Sequence, residues 1–362
     1  MAETNTLVLD IRIPFVSEKL HFSSDFQLVG DHATRMEYLA ALEAEATAVA
    51  PDVTGNIVAI RLSGPSPSIM SPDGLNHLIA HIKSLFTVDP HSEISITALP
   101  HTIGTPSLTG WNAAGINRIS VLADTLDPTE LIALQRPYKR DHIQDALLFL
   151  DKFNRENVDV VLTIGIPDQS EIKLMQNLRA LNAIEVPHIT LQPLFAVGEG
   201  VLSADDQQVL FNKAIERLES YGYEQYIPGH FAKRNHFKSK FAHALAEGAQ
   251  LVGLGLGATS CNNNIAYTNT QDLQAYLQDP TNAEATIAEA HSINDEVAQT
   301  GYVFNQLKYA DGFSREELEQ RFTAINPAVE AQITTLIGEG LLVNEDDHYH
   351  LTPDGTFRWL FA

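Results

Sequence analysis

Side chains able to do redox, metal or nucleophilic chemistry are few in this chain and unevenly placed. Cys261 is the single cysteine among 362 residues. Within one chain that excludes a disulfide framework, a CxxC redox pair, a Cys-rich zinc site and a thiolate-held iron–sulfur cluster. No base stands beside Cys261, and neither a Gly-x-Ser-x-Gly elbow nor an HExxH helix occurs, so covalent and zinc-assisted hydrolysis find no support. Three histidines, His230, His236 and His243, fall within fourteen residues. Imidazole is a common metal-ligand type, and Tyr223, Tyr226 and Phe231 lie near these histidines in the chain, with faces that could stack on a flat ring. The bland alternative is a set of surface histidines on a helix carrying Lys233, Arg234, Lys238 and Lys240, a basic patch suited to carboxylates or to an acidic partner. The run Gly253-Leu254-Gly255-Leu256-Gly257 lacks a Walker ending and does not continue as a GxGxxG helix start, so it predicts no phosphate loop.

An alternating frame must position these groups. β-rich runs at Leu7–Phe15, Ile57–Leu62, Glu93–Leu99, Arg118–Leu122, Val158–Ile164 and His188–Leu194 interleave with helical patterns at Glu37–Ala50, Leu75–Phe86, Trp111–Ala114, Pro128–Leu134, His142–Phe153 and Ser170–Leu181. Strands alternating with helices imply parallel βα units, and the strands are apolar enough to be covered on both faces. Six units are fewer than the eight of a closed barrel and predict a partial barrel or an open sheet. A long helix follows at Ala204–Tyr221. Pro280–Thr286 is polar and marks a candidate boundary. Ser314 and Glu317 form a capping box that opens a helix to about Phe322. A second helix at Pro327–Ile337 and a hairpin around Asn344–Asp347 complete a winged-helix-like pattern.

Charge narrows the partners. Twenty-three basic against 46 acidic residues leave a net of −23, which repels phosphate backbones and anionic bilayers. Residues 301–362 hold ten acids and four bases, so the winged-helix-like end is expected to pack or dock and not to bind DNA. Neither a leader pattern nor an apolar run of spanning length is visible. The expectation is a cytoplasmic protein without nucleic-acid or membrane partners.

Several short motifs, in order, resemble one family. Arg12-Ile13-Pro14-Phe15 resembles an HIPF run, Ser63-Gly64-Pro65-Ser66-Pro67-Ser68 a GGGTPS loop, and Ala114-Gly115-Ile116-Asn117-Arg118-Ile119-Ser120 an AGVNRLS stretch. Gly165-Ile166-Pro167-Asp168-Gln169-Ser170 looks like GLPGQT, Gly222–Tyr226 like GYEQY, and Gly253–Ala258 like GLGAGA. Glu339–Leu342 and Leu351–Gly355 resemble EGLL and LTPxG. The chain thus resembles, from Ile13 to about Thr352, the HemN/HemW-like family of oxygen-independent coproporphyrinogen oxidases and haem chaperones, which are radical S-adenosylmethionine proteins. The resemblance implies an α/β fold with a partial (βα)6 TIM-type barrel at 1–200, a connecting α/β region at 201–285 completing the core, and a HemN C-terminal-type, winged-helix-like module at 286–362.

It also implies a cofactor that these residues do not match. After HIPF the family carries CxxxCxxC, three thiolates on a 4Fe–4S cluster. Val16, Leu20 and Ser23 stand there instead, and two of them have no lone pair. His21 and Asp25 lie nearby. The family's LEANPGT glutamate falls at Thr97, its GVQ glutamine at Asp124, and the aspartate before GLPGQT near Val161. Gly64, Ser66, Arg136, Gly165 and Gln169 remain of the S-adenosylmethionine pocket, although turn geometry and ion pairing explain glycine and arginine equally well. The haem-chaperone HNxxYW signature aligns with Phe241–Ala246, leaving His230, His236 and His243 as the haem candidates.

The expected function is a catalytically degenerate member that binds a tetrapyrrole, haem, or a protein partner in haem handling. It has no 4Fe–4S cluster, no metal site and no dependable S-adenosylmethionine site. One alternative is a coproporphyrinogen oxidase-like enzyme with cluster-independent or S-adenosylmethionine-dependent chemistry. Another is a regulatory subunit of an intact paralogue.

Overall fold

The computed structural model describes residues 5–23, 25–153, 157–195, 200–262, 265–308 and 312–360. They form two compact units. The first comprises Met1–Val160, Ser239–Leu245 and Ala249–Ser292; the second comprises Val161–Lys238, Ala246–Gly248 and Ile293–Ala362.

In the first unit β1 (Thr6–Arg12), β2 (Asn56–Ser63), β3 (Val88–Ala98) and β4 (Arg118–Asp124) run parallel in that order. On the other side of β1 lies Gln250–Leu254, also parallel, followed by the antiparallel strands Thr259–Asn262, Ile265–Asn269 and Ile287–Ser292. Helices α1 (His32–Val49), α2 (Pro72–Leu85) and α3 (Thr105–Ala114) fill the crossovers. Helix α1 begins five residues before its apolar pattern suggests, because the Asp31 carboxylate accepts the Thr34 N–H at 2.8 Å and caps it there. β1 stops at Arg12, short of the apolar run, where Pro14 cannot donate to a ladder.

The strands depart from the expected two apolar faces. Period-2 alternation puts Leu9, Ile11, Ile60, Leu62, Ile94, Ile96, Ile119 and Val121 on one buried face. The other face is polar: Asp10 pairs in register with Arg61, Arg61 with Ser95 and Ser95 with Arg118, while Arg12 pairs with Ser63. A polar face inside a fold is costly without partners, and it marks the side on which chemistry is held.

β5 (Val158–Ile164) begins in the first unit and ends in the second, where β6 (His188–Pro193) adjoins it. His230–Ala232 pairs antiparallel with β6 and with Glu224–Ile227. Six strands thus alternate with helices in the expected order. The C-terminal part of the second unit holds helices Asp295–Leu307, Arg315–Arg321, Pro327–Gly338 and Pro353–Leu360. It also holds a small sheet of Phe313–Ser314, His348–Leu351 and Leu342–Glu345. The Ser314–Glu317 capping box forms as expected, and Asp346 and Asp347, both at positive φ, make the hairpin turn. Val303, Leu307, Phe313, Leu318, Val329, Ile333, Leu342 and Tyr349 are its core. Among the described residues no helix is long and apolar enough to cross a membrane.

Candidate functional site

The segment after β1 is closed upon itself. Phe15–Val16 pairs with Leu28–Val29, and the Gln27 amide clamps the Leu20 main chain from both sides, accepting its N–H at 2.7 Å and donating to its carbonyl at 3.0 Å. Val16 is fully buried and Leu20 is 8% exposed, and both count among the core hydrophobics. The Ser23 hydroxyl accepts the Asp25 N–H at 3.3 Å. Two hydrocarbon side chains and a hydroxyl do not fit a cluster that needs three thiolates. Cys261 does not substitute for them. It pairs with Leu251, which pairs with Val8, so it stands in the row of residues near the start of β1 and away from its end. No group of three or more histidine, cysteine, aspartate or glutamate residues is placed to hold a metal ion among the described residues.

Arg136, a retained pocket position, and Asp124, a substituted one, form one buried ion pair. Arg136 donates through Nε to Asp124 Oδ2 at 2.6 Å and through a terminal nitrogen to Oδ1 at 3.1 Å, with side chains 6% and 4% exposed. This is the fork geometry that arginine alone offers. The Tyr138 hydroxyl also donates to Asp124. Burial alone would weaken the Arg136 charge, but the Asp124 carboxylate outweighs it and holds the guanidinium above its ordinary pKa. Burial first, and the Asp124 charge second, push the Tyr138 phenol well up. Another Arg136 nitrogen donates to the His21 carbonyl at 2.5 Å, so the arginine ties the segment between Val16 and Ser23 to the end of β4.

The other retained pocket positions also have main-chain tasks. Gly64 has φ +112°, and a Cβ there would lie 2.3 Å from the Ile13 carbonyl. Gly165, at φ +97°, would drive a Cβ into the Gln207 side chain. Gln169 accepts the Gly165 N–H at 2.8 Å and donates to the Thr163 carbonyl at 3.1 Å, closing that turn. Ser66 is buried, 3.4 Å from the Ser68 hydroxyl. Gly64, Ser66 and Arg136 belong to the first unit, Gly165 and Gln169 to the second. Thr97 is half-buried on the polar face, and Val161 is buried in β5.

The histidines do not gather in one unit. His230 is half-buried in the second unit, its Nδ1 3.1 Å from the Thr190 hydroxyl and its ring 5.8 Å from that of His188. His188, fully buried, shares a hydrogen bond of 2.8 Å with the Tyr226 hydroxyl. His236 lies in the turn Asn235–Phe237, with its side chain outside the described ones, and His243 is exposed on the short helix Lys240–Ala246 and itself belongs to the first unit. The expectation that Tyr223, Tyr226 and Phe231 stack on a macrocycle is corrected: all three are core residues, and the Tyr223 hydroxyl donates to the Val186 carbonyl at 2.6 Å. The basic patch is partly engaged too, with Lys240 Nζ donating to the His91 carbonyl at 2.7 Å.

Within the first unit a buried knot joins α1 to the Gly253–Gly257 turn. Glu45 accepts from Gly255 N–H at 2.8 Å, from Asn269 at 2.7 Å and from the Tyr276 hydroxyl at 2.5 Å. Desolvation outweighs these donors and pushes its carboxyl up to about 7. Tyr38 donates to the Arg12 carbonyl at 2.7 Å and accepts from Leu256 N–H at 2.9 Å.

Comparison with known proteins supports the resemblance. The HemN C-terminal domain family matches residues 298–358. The heme chaperone HemW of Bacillus subtilis is 21% identical over 360 residues, spanning 95% of both chains. The heme chaperone HemW of Lactococcus lactis is 22% identical over 309 residues, 82% of this chain and 81% of the relative. The crystal structure of coproporphyrinogen III oxidase (HemN) from Escherichia coli, a radical SAM enzyme, superposes with a TM-score of 0.85 at 18% identity, over 99% of this chain and 89% of that one. The chain is thus similar over nearly its whole length to HemN/HemW-like proteins.

The chain has the α/β radical SAM fold. Residues that sequence reasoning missed are Tyr138, His188 and the polar strand face. A signal for the face existed in the alternation of Asp10, Arg12, Arg61 and Ser63 with aliphatic neighbours. None existed for Tyr138 or His188, which are brought in by loop and sheet packing.

Proposed function

We propose that this chain handles haem and carries out no radical chemistry. The observation that carries the reading is the packing of Val16 and Leu20 into the hydrophobic core, at two of the three positions that the resemblance matches to thiolates. The bidentate Arg136–Asp124 pair supports it, since the arginine expected to face a cofactor is instead neutralised by a carboxylate. The relatives named heme chaperones make haem the ligand to try first. His230, presented from a strand with its Nδ1 held by Thr190, is the first candidate ligand to the iron, followed by His236 and His243.

Two measurements test this together. Haemin titrated into the full chain should give a saturable Soret shift that weakens in His230→Ala or His243→Ala. Anaerobic reconstitution with iron and sulfide should leave no stoichiometric iron–sulfur absorption. A stable cluster at one per chain would overturn the non-radical reading, and absence of any Soret response would overturn the haem reading and leave a protein partner as the cargo.

A further inference from the structure

We propose that the C-terminal end of the parallel strands in the first unit binds a small monocarboxylate between the Arg12 Nε and the Ser63 hydroxyl. Arg12 and Ser63 are register partners at the ends of β1 and β2, which neighbour each other at a strand spacing of about 4.8 Å. The carboxyl ends of parallel strands are where α/β folds hold their ligands. Both atoms, Arg12 Nε and Ser63 Oγ, are closed off from solvent and make no hydrogen bond. A buried donor without a partner is costly, and a charged one more so, which calls for an acceptor supplied from outside the chain.

A neighbouring arginine shows what is missing. On the same strand face Arg61 meets Asp10 side-on, through Nε at 2.9 Å and a terminal nitrogen at 3.0 Å. Arg12 makes only half of that arrangement: a terminal nitrogen meets Asp25 at 3.1 Å, and Nε has nothing. One carboxylate oxygen would complete the edge of Arg12, and Ser63 can donate to the other. Arg118 shares this face, in register through Ser95 with Arg61, but its guanidinium is engaged by Asn157 Oδ1 at 2.6 Å. Asp10 and Asp25 already balance Arg61 and Arg12, so a planar monoanion suits the site better than a phosphate dianion. Arg12 is 27% exposed, Asp25 41% and Arg61 43%, so the cluster opens to solvent beside the two orphaned atoms. The inference uses neither the histidines nor any iron, and it stands apart from the haem reading.

Calorimetric titration of the full chain tests it, with L-lactate as probe, its neutral amide lactamide as control and inorganic phosphate as the dianion. Lactate should bind saturably, lactamide and phosphate should not, and Ser63→Ala should weaken lactate by about tenfold, one hydrogen bond to a charged group. Arg12→Gln should abolish binding. Because that variant also loses its ion pair with Asp25, Ser63→Ala, which removes a hydroxyl without a partner, keeps the test independent of folding. Haemin, whose propionates carry the same group, is the second arm: competition between lactate and haemin assigns the carboxylate to haem, and saturable lactate binding without competition assigns it to a free acid. No saturable lactate binding at millimolar concentration, equal binding of lactamide, or an affinity unchanged in Ser63→Ala would overturn the proposal and leave water as the partner of the two atoms.

Discussion

Replacing Glu45 by glutamine should remove a pH dependence that the wild-type fold carries. Glu45 is buried, and desolvation lifts its carboxyl from 4.5 to about 7 against three donors that favour the anion. The folded state therefore holds a proton that the unfolded chain gives up between those two values. Stability from this group is complete below pH 4.5 and is lost as pH rises through 7. Between pH 5.5 and pH 8 the loss amounts to about 2 kcal/mol. Glutamine cannot ionise, but its amide nitrogen must face a donor: Gly255 and Tyr276 donate on one side and Asn269 on the other. The variant should thus sacrifice roughly one hydrogen bond, about 1–3 kcal/mol, at low pH. By pH 8 most of that deficit should vanish, because the wild type has lost its own share. Urea unfolding of both proteins at the two pH values measures the double difference, in which every other titrating group cancels. A Trp359→Phe background leaves Trp111, fully buried in the first unit, as the single tryptophan reporter. A stability gap between Glu45→Gln and wild type that is equal at pH 5.5 and 8, or that widens with pH, would refute the reasoning.

Arg136→Ala should cost about 3–5 kcal/mol in the same unfolding assay, because it strands the Asp124 carboxylate in the interior. Arg136→Met combined with Asp124→Asn, which tolerates the positive φ and still accepts from Tyr138, should recover much of that loss; if the pair costs as much as the single change, the charge is not the cause. Gly64→Ala should lower the amount of soluble folded protein and its melting temperature, since the methyl group meets the Ile13 carbonyl in a left-handed backbone. A melting temperature equal to wild type would show that the turn relaxes freely.

What could be read in the amino-acid pattern depended on range. Val158–Ile164 emerges with the same ends in the pattern and in the fold, because a run of β-branched residues is a local signal. The Ser314–Glu317 box is equally local, three residues long and self-sufficient. The helix Asp295–Leu307 gives a weaker signal: its Asn294 cap follows polar sequence, and its buried positions, Gln299, Val303 and Leu307, make only a thin apolar stripe. At the site, the missing thiolates were plain from residue types alone. The partnership of Arg136 with Asp124 was not, since the two are joined by a turn, a short helix and Asp124 at positive φ, and no periodicity encodes such a return. The polar strand face was hidden because each strand supplies only two or three polar residues, and only the register sums them.

The clamp of Gln27 on Leu20 and the tether from Arg136 to His21 bear on the history open to this sequence. Cysteine at Val16 and Leu20 would exchange filled core volume for smaller thiols, while the main chain around them remained held in its closed route. Mutational steps toward a cluster therefore weaken the fold before any ligand set is complete. Thiolates at these positions would need several changes to arrive together, each of them costly to the packing that now holds the segment.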